Sequence, residues 1–137
     1  MQLQPYLFFS GRADEAIEFY KQALDAQLVM AMRFEESPEP APPGFLPEGW
    51  GKKIMHADLK FGDATMLLSD GHGREAPGIH GFALTLVVKD AAEADRRFAA
   101  LSNGGNVTVP LGKSFFSERF GMLQDRFGVD WMVIQRS

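Results

Sequence analysis

The residues with the clearest chemical potential lie in the stretch KKIMHADLKFGD, residues 52–63, where polar and apolar side chains alternate. In a β-strand, side chains two positions apart point to the same face, so His56, Asp58 and Lys60 should form one polar row. A histidine beside a carboxylate can act as an acid–base pair, or the two can bind a metal ion together. The alternative is that the row is only the solvent-facing side of a sheet.

A metal centre would need more than this pair, because catalytic metal sites use three protein ligands. Other histidines and carboxylates, such as His80 and Asp125, stand at no diagnostic spacing from the row. The spacing therefore weighs against a metal, and His56 and Asp58 are the predicted catalytic residues if the protein is an enzyme.

The face that the polar row occupies depends on the turn at Gly62 and Asp63. If these two residues form a tight hairpin, Leu59 lies opposite Met66 and the polar row points away from Met66. A bulge or a longer turn would reverse that relation. We expect the row to face a cup formed by the sheet, because a helix needs the apolar face of the strand.

The apolar spacing along the chain predicts two copies of one βαβββ unit, which is an α+β fold. The first half has a strand at 5–9, a helix at 13–24 and strands at 27–34, 52–61 and 64–70. The second half has a strand at 82–88, a helix at 90–101 and strands at 106–111, 120–125 and 129–135. Asp90 should cap the second helix, and Trp131 should pack under a helix.

Residues 36–52 interrupt the first copy with a proline-rich insertion. The segment is too rich in proline for regular structure, and two interpretations remain open. It is either a solvated loop or a lid that carries Phe45 and Trp50 over a pocket.

Length, charge and composition exclude several classes of protein. The 137 residues fit one domain, and the net charge of -4 without a run of basic residues argues against nucleic acid or an anionic membrane as partner. The chain has no cysteine, which excludes disulfides, thiolate metal sites and a cysteine nucleophile. No stretch of the chain has the length of a membrane span, and we expect a soluble, cytoplasmic protein.

The motifs PYLFF, DEAIEFY, HADLKFG, LLSD, GGNVTVPL and FFSERFGMLQDRFGVDWMV together resemble one protein family. They are similar to the PhnB-like branch, also called 3-demethylubiquinone methyltransferase-like, of the vicinal oxygen chelate superfamily. That superfamily contains glyoxalase, fosfomycin-resistance and bleomycin-resistance proteins and the related dioxygenases. No GxGxxG loop precedes a helix, so we do not take the methyltransferase label as an activity.

The resemblance implies one glyoxalase-like domain of two modules, at about 1–70 and 79–137, each with a curved mixed sheet. It also implies a homodimer and a site inside the sheet cup. One departure is that Phe116 and Ser117 stand where the family usually has Trp-Gly.

The resemblance also implies where a metal would bind. Metal enzymes of the superfamily take a ligand from each of four places, which in this chain are Pro5, Met66, Ala83 and Met132. None of these side chains offers the hard donor that Mg²⁺ or Zn²⁺ prefers. We therefore expect no metal and no cofactor.

Two functions follow as hypotheses. The first is a metal-free small-molecule binding protein with an apolar cup at the sheet interior or dimer interface. Its predicted ligand-binding residues are Phe9, Trp50, Lys60, Met66, Phe116 and Met132. The second is an isomerase, lyase or dioxygenase that uses His56 and Asp58 as acid and base or in a relocated metal site.

Overall fold

The fold repeats one order of elements, a strand, a helix and three strands. The structure is a computed structural model that describes residues 1–73 and 79–136. The first set is β1 (Tyr6–Phe8), α1 (Ala13–Leu24), β2 (Gln27–Arg33), β3 (Ile54–Phe61) and β4 (Ala64–Ser69). The second set is β5 (Leu84–Val88), α2 (Ala91–Ser102), β6 (Asn106–Gly112), β7 (Phe120–Gln124) and β8 (Asp130–Gln135).

Each set of strands forms its own mixed sheet of four strands. The strand orders are β1-β4-β3-β2 and β5-β8-β7-β6, with the first pair parallel and the others antiparallel. The chain divides into two compact units, Met1–Pro77 and Gly78–Ser137. The predicted α+β fold of tandem βαβββ modules is confirmed. In the described part of the chain, neither helix has the length and apolar character needed to cross a membrane.

The core of the first unit lies between its sheet and α1. The helix buries Ala16, Ile17 and Tyr20, which recur at helical spacing. Leu59 and Leu68 of the sheet have no exposed surface, and each such side chain stabilises the fold by roughly 2 kcal/mol. The buried face of the sheet is therefore the face toward α1.

The second unit has the same arrangement around α2. The Asp90 side chain caps this helix by accepting a hydrogen bond of 2.7 Å from the Glu93 backbone N–H, as predicted. The buried side chains of α2 are Ala94, Phe98 and Leu101. Trp131, only 4% exposed, lies in the core of this unit, which agrees with its predicted packing role.

Buried carboxylates hold the loops of both units. Asp70 has no exposed surface, and its two oxygens accept hydrogen bonds from the backbone N–H groups of Gly11, Ala13 and Ile54 at 2.8, 2.8 and 2.9 Å. Asp125 accepts from two backbone N–H groups of its own turn and from the Trp131 indole. Since a buried N–H without an acceptor is costly, these carboxylates fix the loops that flank the strands.

The proline-rich insertion is anchored at its end by Trp50. Its indole N–H donates to the Gly71 carbonyl at 2.8 Å, and the ring lies against Gly11 and Gly73. Earlier in the segment, the ring of Phe45 lies 4.6 Å from that of His72. Both aromatic residues thus contact loops next to the sheet, and a lid function of the segment stays a prediction.

Candidate functional site

The two-residue turn at Gly62 and Asp63 fixes which side chains share a face of the first sheet. Phe61 pairs with Ala64 across this turn, and Leu59 pairs with Met66, as predicted for a tight hairpin. Gly62 has φ 62°, a left-handed conformation that glycine adopts without strain. The apolar residues of β3 therefore point toward α1.

The polar row lies on the opposite face, which we call the open face. The open face consists of the side chains that the strand register places next to His56 and Asp58, together with the side chains of β1 and β4 that point away from α1. They are Tyr6, Phe8, Met30, Met32, His56, Asp58, Lys60, Thr65 and Leu67. The expectation that the row lies on the face away from the helix is met.

A continuous hydrogen-bonded chain lies at the centre of the open face. The Tyr6 hydroxyl lies 2.9 Å from His56 Nδ1, and His56 Nε2 lies 2.7 Å from Asp58 Oδ1. The side chains of His56 and Asp58 are 32% and 31% exposed. A ligand can therefore reach these hydrogen-bonded side chains, although bulk water does not surround them. This order of phenol, imidazole and carboxylate is one that can move a proton or orient a bound polar group.

The environment of Tyr6 favours its neutral form. Burial raises the pKa of the phenol above its ordinary value, and the negative charge of Asp58 acts in the same direction. A hydrogen bond with the Ser69 hydroxyl opposes these effects but does not cancel them. Tyr6 therefore carries its proton at neutral pH and can donate it to His56.

Tyr6 is the member of this chain that sequence analysis missed. It stands within the apolar run PYLFF, which marked a strand but gave no sign of which residue faces His56. The structure shows that β1 alternates, with Leu7 buried and both its neighbours exposed, but nothing in the apolar run itself marks this alternation.

Two predicted ligand-binding residues of the first unit do not lie on the open face. Phe9 and Met66 are only 5% and 2% exposed. The ring of Phe9 packs near that of Tyr20, and Met66 pairs with Leu59 on the face toward α1. Placing them in an apolar cup was an error of orientation, and their role here is to fill the core.

The other two residues predicted for ligand binding in this unit differ in position. Lys60 does lie on the open face, exposed and opposite Thr65 near the turn. Trp50 is held by the hydrogen bond from its indole N–H to the Gly71 carbonyl. The structure therefore places Lys60 next to Asp58 on the open face, whereas Trp50 contacts the loop residues Gly11, Gly71 and Gly73.

The second sheet has an open face of a different character. Met132 lies there between Thr85 and Met122, and the Thr85 hydroxyl is 3.9 Å from its sulfur. Phe116, 50% exposed, packs edge-on against Phe120 at a ring distance of 5.1 Å. The predicted residues Met132 and Phe116 thus belong to an apolar surface of the second unit.

A cavity lies beside the loop that carries Phe116. Its volume is about 640 Å³, and Lys113, Glu118 and Arg136 are among the residues that line it. The charged side chains of this cavity are at the surface of the second unit.

The four positions at which related metal enzymes have their ligands do not fit a hard metal ion in this protein. The Met66 thioether is buried in the core, and the Pro5 carbonyl accepts a hydrogen bond from the Leu67 N–H. Ala83 has no donor side chain, and the Met132 sulfur is a soft ligand. Within residues 1–73 and 79–136, no group of three His, Asp or Glu side chains is close enough to hold a metal. We derive no chemistry through a metal.

Comparison with solved structures shows the class of fold. The chain superimposes on a glyoxalase/bleomycin resistance protein/dioxygenase domain from Frankia sp. with a TM-score of 0.68 at 12% identity, over 99% of this chain and 95% of that one. The fold is therefore of the glyoxalase type.

The family follows from closer matches. Protein PA1353 from Pseudomonas aeruginosa has a TM-score of 0.87 at 43% identity, over 99% of this chain and 98% of that one. A PhnB protein from Bacillus cereus has a TM-score of 0.83 at 25% identity, over 99% and 100%. The family described as 3-demethylubiquinone-9 3-methyltransferase matches residues 1–134, and the chain belongs to it. The resemblance seen in the sequence is confirmed.

Proposed function

We propose that the protein binds a small molecule on the open face of the first sheet. The observation that carries this proposal is the hydrogen-bonded series of Tyr6, His56 and Asp58, which lies among the apolar side chains Phe8, Met30, Met32 and Leu67 of the open face. Ligand sites commonly combine an apolar lining with a few polar groups that set orientation. The family's description names a methyl transfer, and that activity is not carried over to this chain.

The apolar part of the proposed site comes from three strands. Phe8 is 46% exposed and its ring lies 5.2 Å from that of Tyr6. Leu67 pairs with both Tyr6 and Asp58, and Met30 pairs with Asp58 from the other side. A planar apolar compound could cover these side chains and place one polar group next to Tyr6, His56 and Asp58.

A test of binding is the fluorescence of Nile red, a neutral planar dye that brightens and shifts to the blue on apolar surfaces. We expect Phe8→Ser to weaken dye binding by about fivefold, because a large exposed ring contributes roughly 1 kcal/mol or more to such a contact. The measurement is a fluorescence titration of wild type and variant at equal protein concentration.

The matched control is Val107→Ser on β6. Val107 and Phe8 are both 46% exposed, but Val107 lies on the second sheet. Its replacement should leave the dye affinity within about twofold of the wild-type value. Equal losses in both variants would mean that the dye adheres to any apolar patch, and the proposal would be lost.

A second candidate function is acid–base catalysis. It is favoured by the hydrogen bonds that link Tyr6, His56 and Asp58 in series. In this scheme Tyr6 takes a proton from the substrate while its own proton passes to His56 Nδ1. The Asp58 carboxylate then stabilises the imidazolium cation that forms. The chemistry would suit an isomerase or a lyase, and it needs no metal.

A probe of this function is 5-nitrobenzisoxazole, which needs only a base. Removal of its ring C–H proton breaks the N–O bond and gives a coloured cyanophenolate, without any other reactant. If the hydrogen-bonded residues Tyr6, His56 and Asp58 act as a base, His56→Ala should lower the protein-dependent rate on the order of 10²-fold. His80→Ala should leave the rate unchanged, and a rate independent of His56 would leave only the binding function.

Several features stay predictions. These are the metal-free state, the pairing of two copies and a cytoplasmic location. Elemental analysis of the purified protein and measurement of its mass in solution address the first two.

A further inference from the structure

The Tyr6 hydroxyl donates its proton in a hydrogen bond to His56, and this limits the hydrogen bonds that Tyr6 can form with a ligand. An Asp58 carboxylate only accepts hydrogen bonds, so the 2.7 Å contact requires that His56 carry its proton on Nε2. In the neutral imidazole the Nδ1 atom then has a lone pair, and the Tyr6 hydroxyl donates the hydrogen bond of the 2.9 Å contact. The phenol oxygen therefore offers lone pairs and no free proton.

We infer that Tyr6 Oη selects ligands whose polar group donates a hydrogen bond, such as an alcohol, a phenol or a protonated amine. This inference rests on the function proposed above. The phenol oxygen has two lone pairs, and because its proton goes to His56 Nδ1, these lone pairs are what it offers a ligand. A carboxylate ligand has no proton to donate and would place oxygen against oxygen.

The charges around Tyr6 favour a cation among these donors. The Asp58 carboxylate places a negative charge near the phenol. Among the open-face residues named above, Lys60 carries a positive charge. It follows Asp58 on β3, about 7 Å further from His56 than Asp58 is. The facing strand β2 presents Met30 and Met32, which carry no charge. A protonated amine is therefore the donor that the face should prefer.

The neighbouring rings define the rest of the ligand. Tyr6 and Phe8 are 40% and 46% exposed, with centroids 5.2 Å apart and planes tilted by 32°. Aromatic faces attract cations and pack well against another ring. An aryl-alkyl amine satisfies both conditions, since its ring can cover Phe8 and Leu67 while its ammonium group reaches Tyr6 Oη.

Three isosteric probes test the inference: benzylammonium, benzyl alcohol and benzoate. Each is titrated into the full-length, isotope-labelled protein, and binding is followed by the NMR signals of Asp58, Leu67 and the His56 ring. We expect benzylammonium and benzyl alcohol to bind at least about fivefold more tightly than benzoate. The variant Tyr6→Phe keeps the ring but loses the oxygen, so it should reduce this preference to the part that the charge of Asp58 causes.

The control is Tyr20→Phe, the same substitution at the other of the 2 tyrosines, which is buried in the core. It should keep the wild-type order of affinities. If benzoate binds this face as tightly as the two donors, the inference is wrong while the proposed function stands. If none of the three probes moves the signals of the open face, both are wrong.

Discussion

Replacing Asp70 with alanine is expected to lower the free energy of unfolding by about 3 to 5 kcal/mol. The carboxylate is fully buried and accepts three backbone hydrogen bonds, from Gly11, Ala13 and Ile54. Alanine would leave these N–H groups without an acceptor in a place where water cannot easily replace it. Urea unfolding followed by circular dichroism measures the loss.

Asp63→Ala is the matched control, because Asp63 is exposed in the turn between β3 and β4. It should change the free energy of unfolding by no more than about 0.5 kcal/mol. If Asp70→Ala does not fold, Asp70→Asn provides the measurement, since its amide keeps one acceptor oxygen and should cause an intermediate loss. A loss below about 1 kcal/mol for either variant would show that Asp70 does not hold the loops.

Gly105→Ala is expected to destabilise the second unit by about 3 kcal/mol or more. A Cβ atom at this position would collide with the Gln124 carbonyl oxygen and lie 2.9 Å from the Cα and carbonyl carbon of Asp125. All three contacts are with backbone, which cannot rotate away as a side chain can. The expected observation is a lower midpoint in thermal or urea unfolding.

Gly112→Ala is the control, since Gly112 ends β6 and Gly105 lies just before that strand. A Cβ atom there would have no neighbour within 4 Å, so the substitution should be close to neutral. Equal effects of the two alanines would mean that glycine matters at these positions only through backbone flexibility, and the steric argument would fail.

Much of the fold could be predicted because the signals were local. The spacing of apolar residues placed α1 at 13–24, where the structure has Ala13–Leu24, and Asp90 was identified from its position before a helical pattern. The turn at Gly62 and Asp63 gave the pairing of Leu59 with Met66 directly. These features depend on residues close together in the sequence.

The candidate site could be predicted only in part, because its members come from distant strands. His56 and Asp58 share one strand, so their spacing revealed them. Tyr6 is 50 residues from His56 in the sequence, and only the parallel pairing of β1 with β4 brings its hydroxyl to the imidazole. Phe9 and Met66 were misplaced because each lies in a run of consecutive apolar residues, which does not show which side chains face the helix.

The methionines of the two open faces have a consequence for chemical stability. Met30 and Met32 lie on one face, and Met122 and Met132 on the other. Their unbranched thioethers can refit to compounds of different shape, which suits a tolerant surface. Peroxide would convert the accessible sulfur atoms to polar sulfoxides, and the protein should then lose affinity for apolar compounds while its helix-facing cores stay intact.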